Sequence, residues 1–174
     1  RSVRDEARNL MGADVKLSAG RPLADSVRLL LDSVEAAGTP VSDVVSTVTV
    51  ALAPNGRTRL VQLRAITGGF PFYGDVETEP AGLWSQMQGG GIAITEPAVL
   101  IALGLEAGDS IRLGSLWLPV AGTAPNLPPE LSFRSAIGPR VFIAGSDLEA
   151  TGLIGFGSLV RHEAFLAMPN EDVA

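Results

Sequence analysis

The clearest pattern in this chain of 174 residues lies between Val44 and Ile66. In VVSTVTVALAPNGRTRLVQLRAI, Val44, Val48, Val50 and Leu52 share one parity, and Val61, Leu63 and Ala65 alternate on the return. A period of two places such residues on one face of a strand. Pro54-Asn55-Gly56-Arg57 stands between the two runs, and Asn-Gly accepts positive φ at both positions of a tight turn. The pattern predicts a β-hairpin. Upstream, Leu23, Val27, Leu30, Leu31 and Val34 recur at helical spacing and Gly38 follows, which predicts a helix with one apolar face. Val3, Ala7, Leu10 and Met11 predict an earlier helix over Arg1 to Met11, with Gly12 as its C′ residue. Val15 to Ser18 reads as a short strand.

Gly68 to Gly91 is rich in Gly, Pro and aromatics and reads as a long loop carrying a strand or turn. Regular structure resumes at ITEPAVLIALGLEAGD. Thr95 can cap a helix there, Glu96 suits its positive end, Pro97 loses nothing in its first turn, and Gly104 stops it. Ser110 to Leu113 and Leu116 to Ala121 read as a hairpin about Gly114-Ser115, with Pro119 drawing the second strand to a sheet edge. Thr123 to Pro139 is a second Pro-rich connection. RVFIAG reads as a strand, SDLEATG as a helical turn capped by Ser146, Gly157 to Ala167 as a last strand, and Met168 to Ala174 as a frayed end. The fold class expected is α+β: a mixed sheet with packed helices and a small β-rich subdomain.

Composition narrows the function classes. Hydrophobic residues make up 46% of the chain and charged ones 18%, enough for a core and against global disorder. The net charge is −6 with no basic block, which argues against nucleic acid and anionic lipid as partners. There is no cysteine, so disulfides, thiolate chemistry and Cys-type zinc sites are excluded. The longest apolar run, Ala98 to Leu103, falls far below the roughly 20 residues of a membrane span.

Candidate chemistry is thin. His162 is the single histidine, in LVRHEAF, with no nucleophile elbow nearby and no second histidine for zinc; it reads as a packed or surface strand residue. Asp75, Glu77 and Glu79 would share one face of an extended segment, a solvated edge more than a metal or acid–base site. GFGSLV lacks the third glycine and the lysine of a nucleotide loop. Gly89-Gly90-Gly91 reads as a flexible linker, with a hinge as the alternative. The aromatics Phe70, Phe72, Tyr73 and Trp84 either plug a join between layers or form a binding lip. Leu127, Leu131 and Phe133 in the second Pro-rich loop pose the same choice. These seven are the candidate contact residues for a partner or ligand. No catalytic, metal or cofactor-binding residue is assigned.

Five segments in order carry a resemblance: ARNLMGADVKLSAGRPL, LVQLRAITGGFPFYGDV, ITEPAVLIALGLEAGDSIRLGSLWLPVAG, PRVFIAGSDLEATGLI and GSLVRH. Together they resemble the first extracytoplasmic domain of FtsX-like and MacB-like ABC transporter permeases, in the YbbP-type branch. QMQGGG departs from the pattern. The resemblance implies a MacB periplasmic-core-like fold, with residues 1–90 and 139–174 as a porter-like layer and 91–138 as an inserted helix–hairpin subdomain. It also implies an excised loop, with Arg1 just above the membrane and Ala174 near its return. That expectation suits a chain that opens without an initiator Met, in what reads as mid-helix. The implied function is non-enzymatic: coupling ATP-driven motion to a lipophilic substrate or a periplasmic partner. The implied partners are the transmembrane part of the same permease, a separate cytoplasmic ATPase that uses the ATP, and a periplasmic esterase of the lysophospholipase type. The domain itself needs no cofactor and stands at the periplasmic face of the inner membrane. A free-standing binding or adaptor module is the alternative, and a small hydrolase a weaker one.

Overall fold

The computed structural model describes residues 15–72, 76–127, 138–155 and 160–167. Within them run β1 (Val15–Ala19), α1 (Asp25–Ala36), β2 (Val41–Leu52), β3 (Thr58–Thr67), α2 (Leu83–Gln88), β4 (Ala93–Thr95), α3 (Pro97–Leu103), β5 (Ser110–Leu113), β6 (Leu116–Thr123), β7 (Arg140–Ala144), α4 (Gly145–Thr151) and β8 (Val160–Leu166). The architecture is α+β around one mixed sheet, ordered β1-β8-β2-β3-β7-β4-β6-β5. β3–β7 and β4–β6 are parallel pairs and the rest antiparallel. β5 returns to β2 through Ala51↔Leu113 and Leu52↔Arg112, so six strands close on themselves and β1–β8 extends from β2 as a flap. β7 pairs with both β3 and β4, joining the segment 91–138 to the remainder through one continuous sheet.

Closure gives each of the six strands an inner and an outer face. Inner residues Val61, Leu63 and Ala65 of β3 meet Ile111, Leu113, Leu118, Val120, Val141 and Ile143, with Val99, Leu100 and Leu103 of α3 over them. Outer residues Val44, Ile66, Ile94 and Phe142 pack beneath α2 and the residues leading to it. A third cluster sets α1 on β1, β8 and the start of β2 through Leu31, Ala164 and Leu166. Leu23, Val27, Leu31 and Val34 face inward as predicted, whereas Leu30 is 63% exposed. It lies one position around the helix from Leu31, beyond the edge of a stripe that one sheet can cover.

The hairpin forms where expected, but its parity does not hold. Val44 is buried while Val50 is 50% exposed, and Ala51 is buried instead. Along a strand of twelve residues the outer cover ends and the inner core takes over. The turn differs too. Ala53 C=O accepts from Gly56 N–H (3.0 Å), Ala53 N–H donates to Arg57 C=O (2.9 Å), and Gly56 has φ 87°. This is a three-residue loop with one left-handed glycine, and Pro54 fits its first corner.

Other expectations shift at element ends. Glu96, not Thr95, occupies the N-cap of α3, and α4 begins at Gly145 with no side-chain cap from Ser146. β6 is an interior strand; Pro119 pairs with Ser110 and falls just before the β4 ladder begins at Val120, where its missing N–H costs nothing. The long segment before Gly91 holds a helix, α2, where a strand or turn was expected. Six residues are too few for helical periodicity to stand out. The triple glycine is no free linker: Gly89 and Gly90 N–H groups donate to Gln86 and Met87 carbonyls, and Gly91 N–H donates to Asp147 Oδ2 at 2.8 Å. The predicted helix over Arg1 to Met11, the start of the last strand at Gly157, and the polar end lie outside the described residues.

Candidate functional site

The outer face near the flap gathers most of the candidate contact residues. β3 ends at Thr67, and Gly68 (φ 90°) turns the chain against Val41 and Ser42, where any Cβ would strike backbone. This delivers Phe70 onto β8. Its ring is 1% exposed and lies 4.1 Å from that of Phe165, at 34°. Phe72 meets Phe70 edge-on at 6.4 Å. From α2, Trp84 Nε1 donates to Phe70 C=O at 2.9 Å and Gln88 Nε2 donates to the same oxygen at 3.0 Å. Four residues apart, the two donors share one face of the helix. Trp84 also stands 5.1 Å from Phe142 of β7, edge to face. Leu127 packs against the same cluster. Phe70, Phe72, Trp84 and Leu127 therefore come together, with Phe70 wholly inside the packing. Tyr73, Leu131 and Phe133 lie outside the described residues.

Charges line the strands beneath this cluster. Arg140 is 2% exposed; its N–H donates to Glu96 Oε2 at 2.6 Å, and its Nη1 lies 3.3 Å from Glu96 Oε1. Burial lowers the Arg140 pKa, and the carboxylate offsets part of that. Arg64, buried on β3, is held at about 10, chiefly by burial and then by the charge of Arg140. On the flap, Lys16 Nζ lies 3.1 Å from Glu163 and 5.6 Å from the Phe165 ring centroid. Nothing in the patterning announced these charges, because alternation is read from apolar residues and treats an arginine in a strand as outward-facing.

Among the described residues the remaining candidates assemble no reactive group. His162 pairs with Ala19 and Val45 in the sheet, beneath α1. Its pKa is lowered by burial and by Arg28, against a raising influence from Asp43, to which Arg28 is ion-paired at 3.0 Å. Glu77 and Glu79 are exposed and alternate with buried Val76 and Thr78, so the shared face expected of them is present. They line an open hollow of about 310 Å³ with Pro125 and Asn126. Asp75 lies outside the described residues. Among the described residues no three His, Asp or Glu side chains converge to hold a metal, and no helix is long and apolar enough to cross a membrane.

The chain is 26% identical over 160 residues to the ABC transporter permease YbbP of Escherichia coli K12, itself described as uncharacterised. That match takes in 92% of the chain. The resemblance to YbbP-type permeases is borne out. The chain spans only 19% of the length of that relative, so it corresponds to one segment of a YbbP-like sequence. No protein-family model matches. Among solved structures, the periplasmic region of MacB from Actinobacillus actinomycetemcomitans aligns with a TM-score of 0.49 at 11% identity, over 95% of this chain and 80% of that one. A domain of a protein described as a permease from Porphyromonas gingivalis aligns with a TM-score of 0.47 at 12% identity, over 75% and 61%.

Proposed function

We propose that this chain is a non-catalytic extracytoplasmic domain of an ABC transporter permease. The observation that carries the reading is the similarity to YbbP along 92% of the chain. The fold suits it. Val15, at the start of β1, is paired with Leu166, at the end of β8. Paired antiparallel residues stand about 5 Å apart. A body whose entry and exit lie side by side can be inserted between two neighbouring membrane helices without spreading them.

In this reading, ATP hydrolysed by a separate cytoplasmic subunit moves the membrane helices, and the domain turns that motion into work on a lipophilic molecule or a periplasmic partner. A lysophospholipase-type esterase is the partner we favour. The outer aromatic cluster, with the partly buried Phe72, Trp84 and Leu127 at its rim, is the surface we assign to contact. Tyr73, Leu131 and Phe133 remain contact candidates from the sequence and lie outside the described residues.

The test is accessibility of the full-length protein. A cysteine placed at exposed Ser115 should react with a membrane-impermeant maleimide in intact spheroplasts. Labelling that appears only after lysis puts the domain on the cytoplasmic side and ends this reading.

A further inference from the structure

We propose that Phe70 is a positioning residue through which displacement of the β1–β8 flap reaches α2. The inference rests on the reading above, in which motion enters where the flanking segments join, at Val15 and Leu166. On the outer side of β8 the large apolar side chain is Phe165, 4% exposed. It is clamped between the Lys16 ammonium and the Phe70 ring, 4.1 Å away. Phe70 in turn belongs to α2 as much as to its own strand end, because its carbonyl oxygen accepts from both Trp84 and Gln88. α2 rests chiefly on β7 and β4, and Phe70 packs between it and Phe165 of β8.

The arrangement has a direction. α2 buries Leu83 and Met87 and sets Trp84 on Phe142. Its C-terminal end, at Gln88, runs into Gly89-Gly90-Gly91, where Asp147 of α4 holds the Gly91 N–H. α2 is thus tied to Phe70 along its length, through Trp84 and Gln88, and to α4 just beyond Gln88. A close-packed aromatic contact with two hydrogen bonds behind it transmits displacement, because such contacts do not compress. A shift of β8 along its own axis pushes the Phe165 ring against Phe70 and carries α2 with it.

The 174 residues contain no cysteine, which favours site-directed spin labelling of the full-length permease with its ATPase. One label pair at exposed Ser18 and Arg59 reports the flap against β3; a second at Ser85 and Arg59 reports α2 against β3. We expect ATP to shift both distances in the unmodified protein. In Phe165→Leu, which keeps apolar bulk and loses the ring against Phe70, the α2 shift should fall to less than half while the flap shift persists. Trp84→Phe, which keeps the ring and removes one donor to Phe70, should do the same in weaker form and guards against a folding defect. An α2 shift that survives Phe165→Leu intact overturns the inference and leaves the functional reading standing. Loss of both shifts also overturns it, since Phe165 would then act within the flap. A flap that ignores ATP in the unmodified protein overturns the functional reading itself.

Discussion

Replacing Phe165 and Phe70 by leucine, singly and together, tests whether the flap and the outer cluster are energetically one unit. Both rings are buried, at 4% and 1% exposure. Leucine retains most of the apolar volume, so each single change should cost about 1–2 kcal/mol, well short of the roughly 3–5 kcal/mol of a Phe→Ala cavity. Rings 4.1 Å apart and tilted by 34° gain a further contribution of about 0.5–1.5 kcal/mol beyond their burial. The first substitution forfeits that gain and the second has none left to lose. The double variant should therefore be less destabilised than the sum of the singles by about 0.5–1.5 kcal/mol. Urea unfolding of the domain reads this directly: at a slope of about 2–3 kcal/mol/M, each single variant should lower the midpoint by roughly 0.3–1 M. Additivity within about 0.3 kcal/mol would refute the coupling, and with it the reasoning that makes Phe70 a link between β8 and α2.

Three further outcomes are expected. Gly145→Ala should destabilise by about 1–3 kcal/mol, because a Cβ there collides with Thr67 Oγ1, and Thr67→Ala should restore most of the loss in thermal melts. Trp84→Phe should cost about 0.5–1.5 kcal/mol by denaturant titration, since the Phe70 carbonyl keeps the Gln88 donor. His162 has a folded pKa below its ordinary 6.5, so below about pH 6.5 the unfolded chain binds more protons than the folded one. Its contribution is fully present above about pH 6.5 and is lost as pH falls through the lowered folded value. His162→Gln should flatten the stability profile in that window, and an unchanged slope between pH 5 and 7 would show that His162 is not its source.

Much of this protein is legible in one dimension. The hairpin, the inner alternation of Val61, Leu63 and Ala65, the inward stripe of α1 and the glycine stops at Gly38 and Gly104 follow from local patterning, because period and backbone permissiveness are properties of neighbouring residues. So does the resemblance to a permease segment, which rests on the order of motifs. The candidate site was half legible. Phe70, Phe72 and Trp84 stood out as aromatics among Gly and Pro, but their partners Phe142 and Phe165 are remote in the chain, and Gln88, though only four residues from Trp84, is unremarkable in place.

What only the tertiary structure decided is pairing. The closure of β5 onto β2 rests on two residue pairs that no local signal marks. It assigns inside and outside to the six strands it closes, and so moves burial in β2 from Val44 to Ala51 along its length. On the outer face Arg140 and Arg64, which alternation alone would send to solvent, are buried as well, and Arg140 pairs with Glu96 44 residues away in sequence. Sequence specifies which face of an element is apolar. Which other element covers that face depends on contacts between distant residues, and those exist only once the chain has closed on itself.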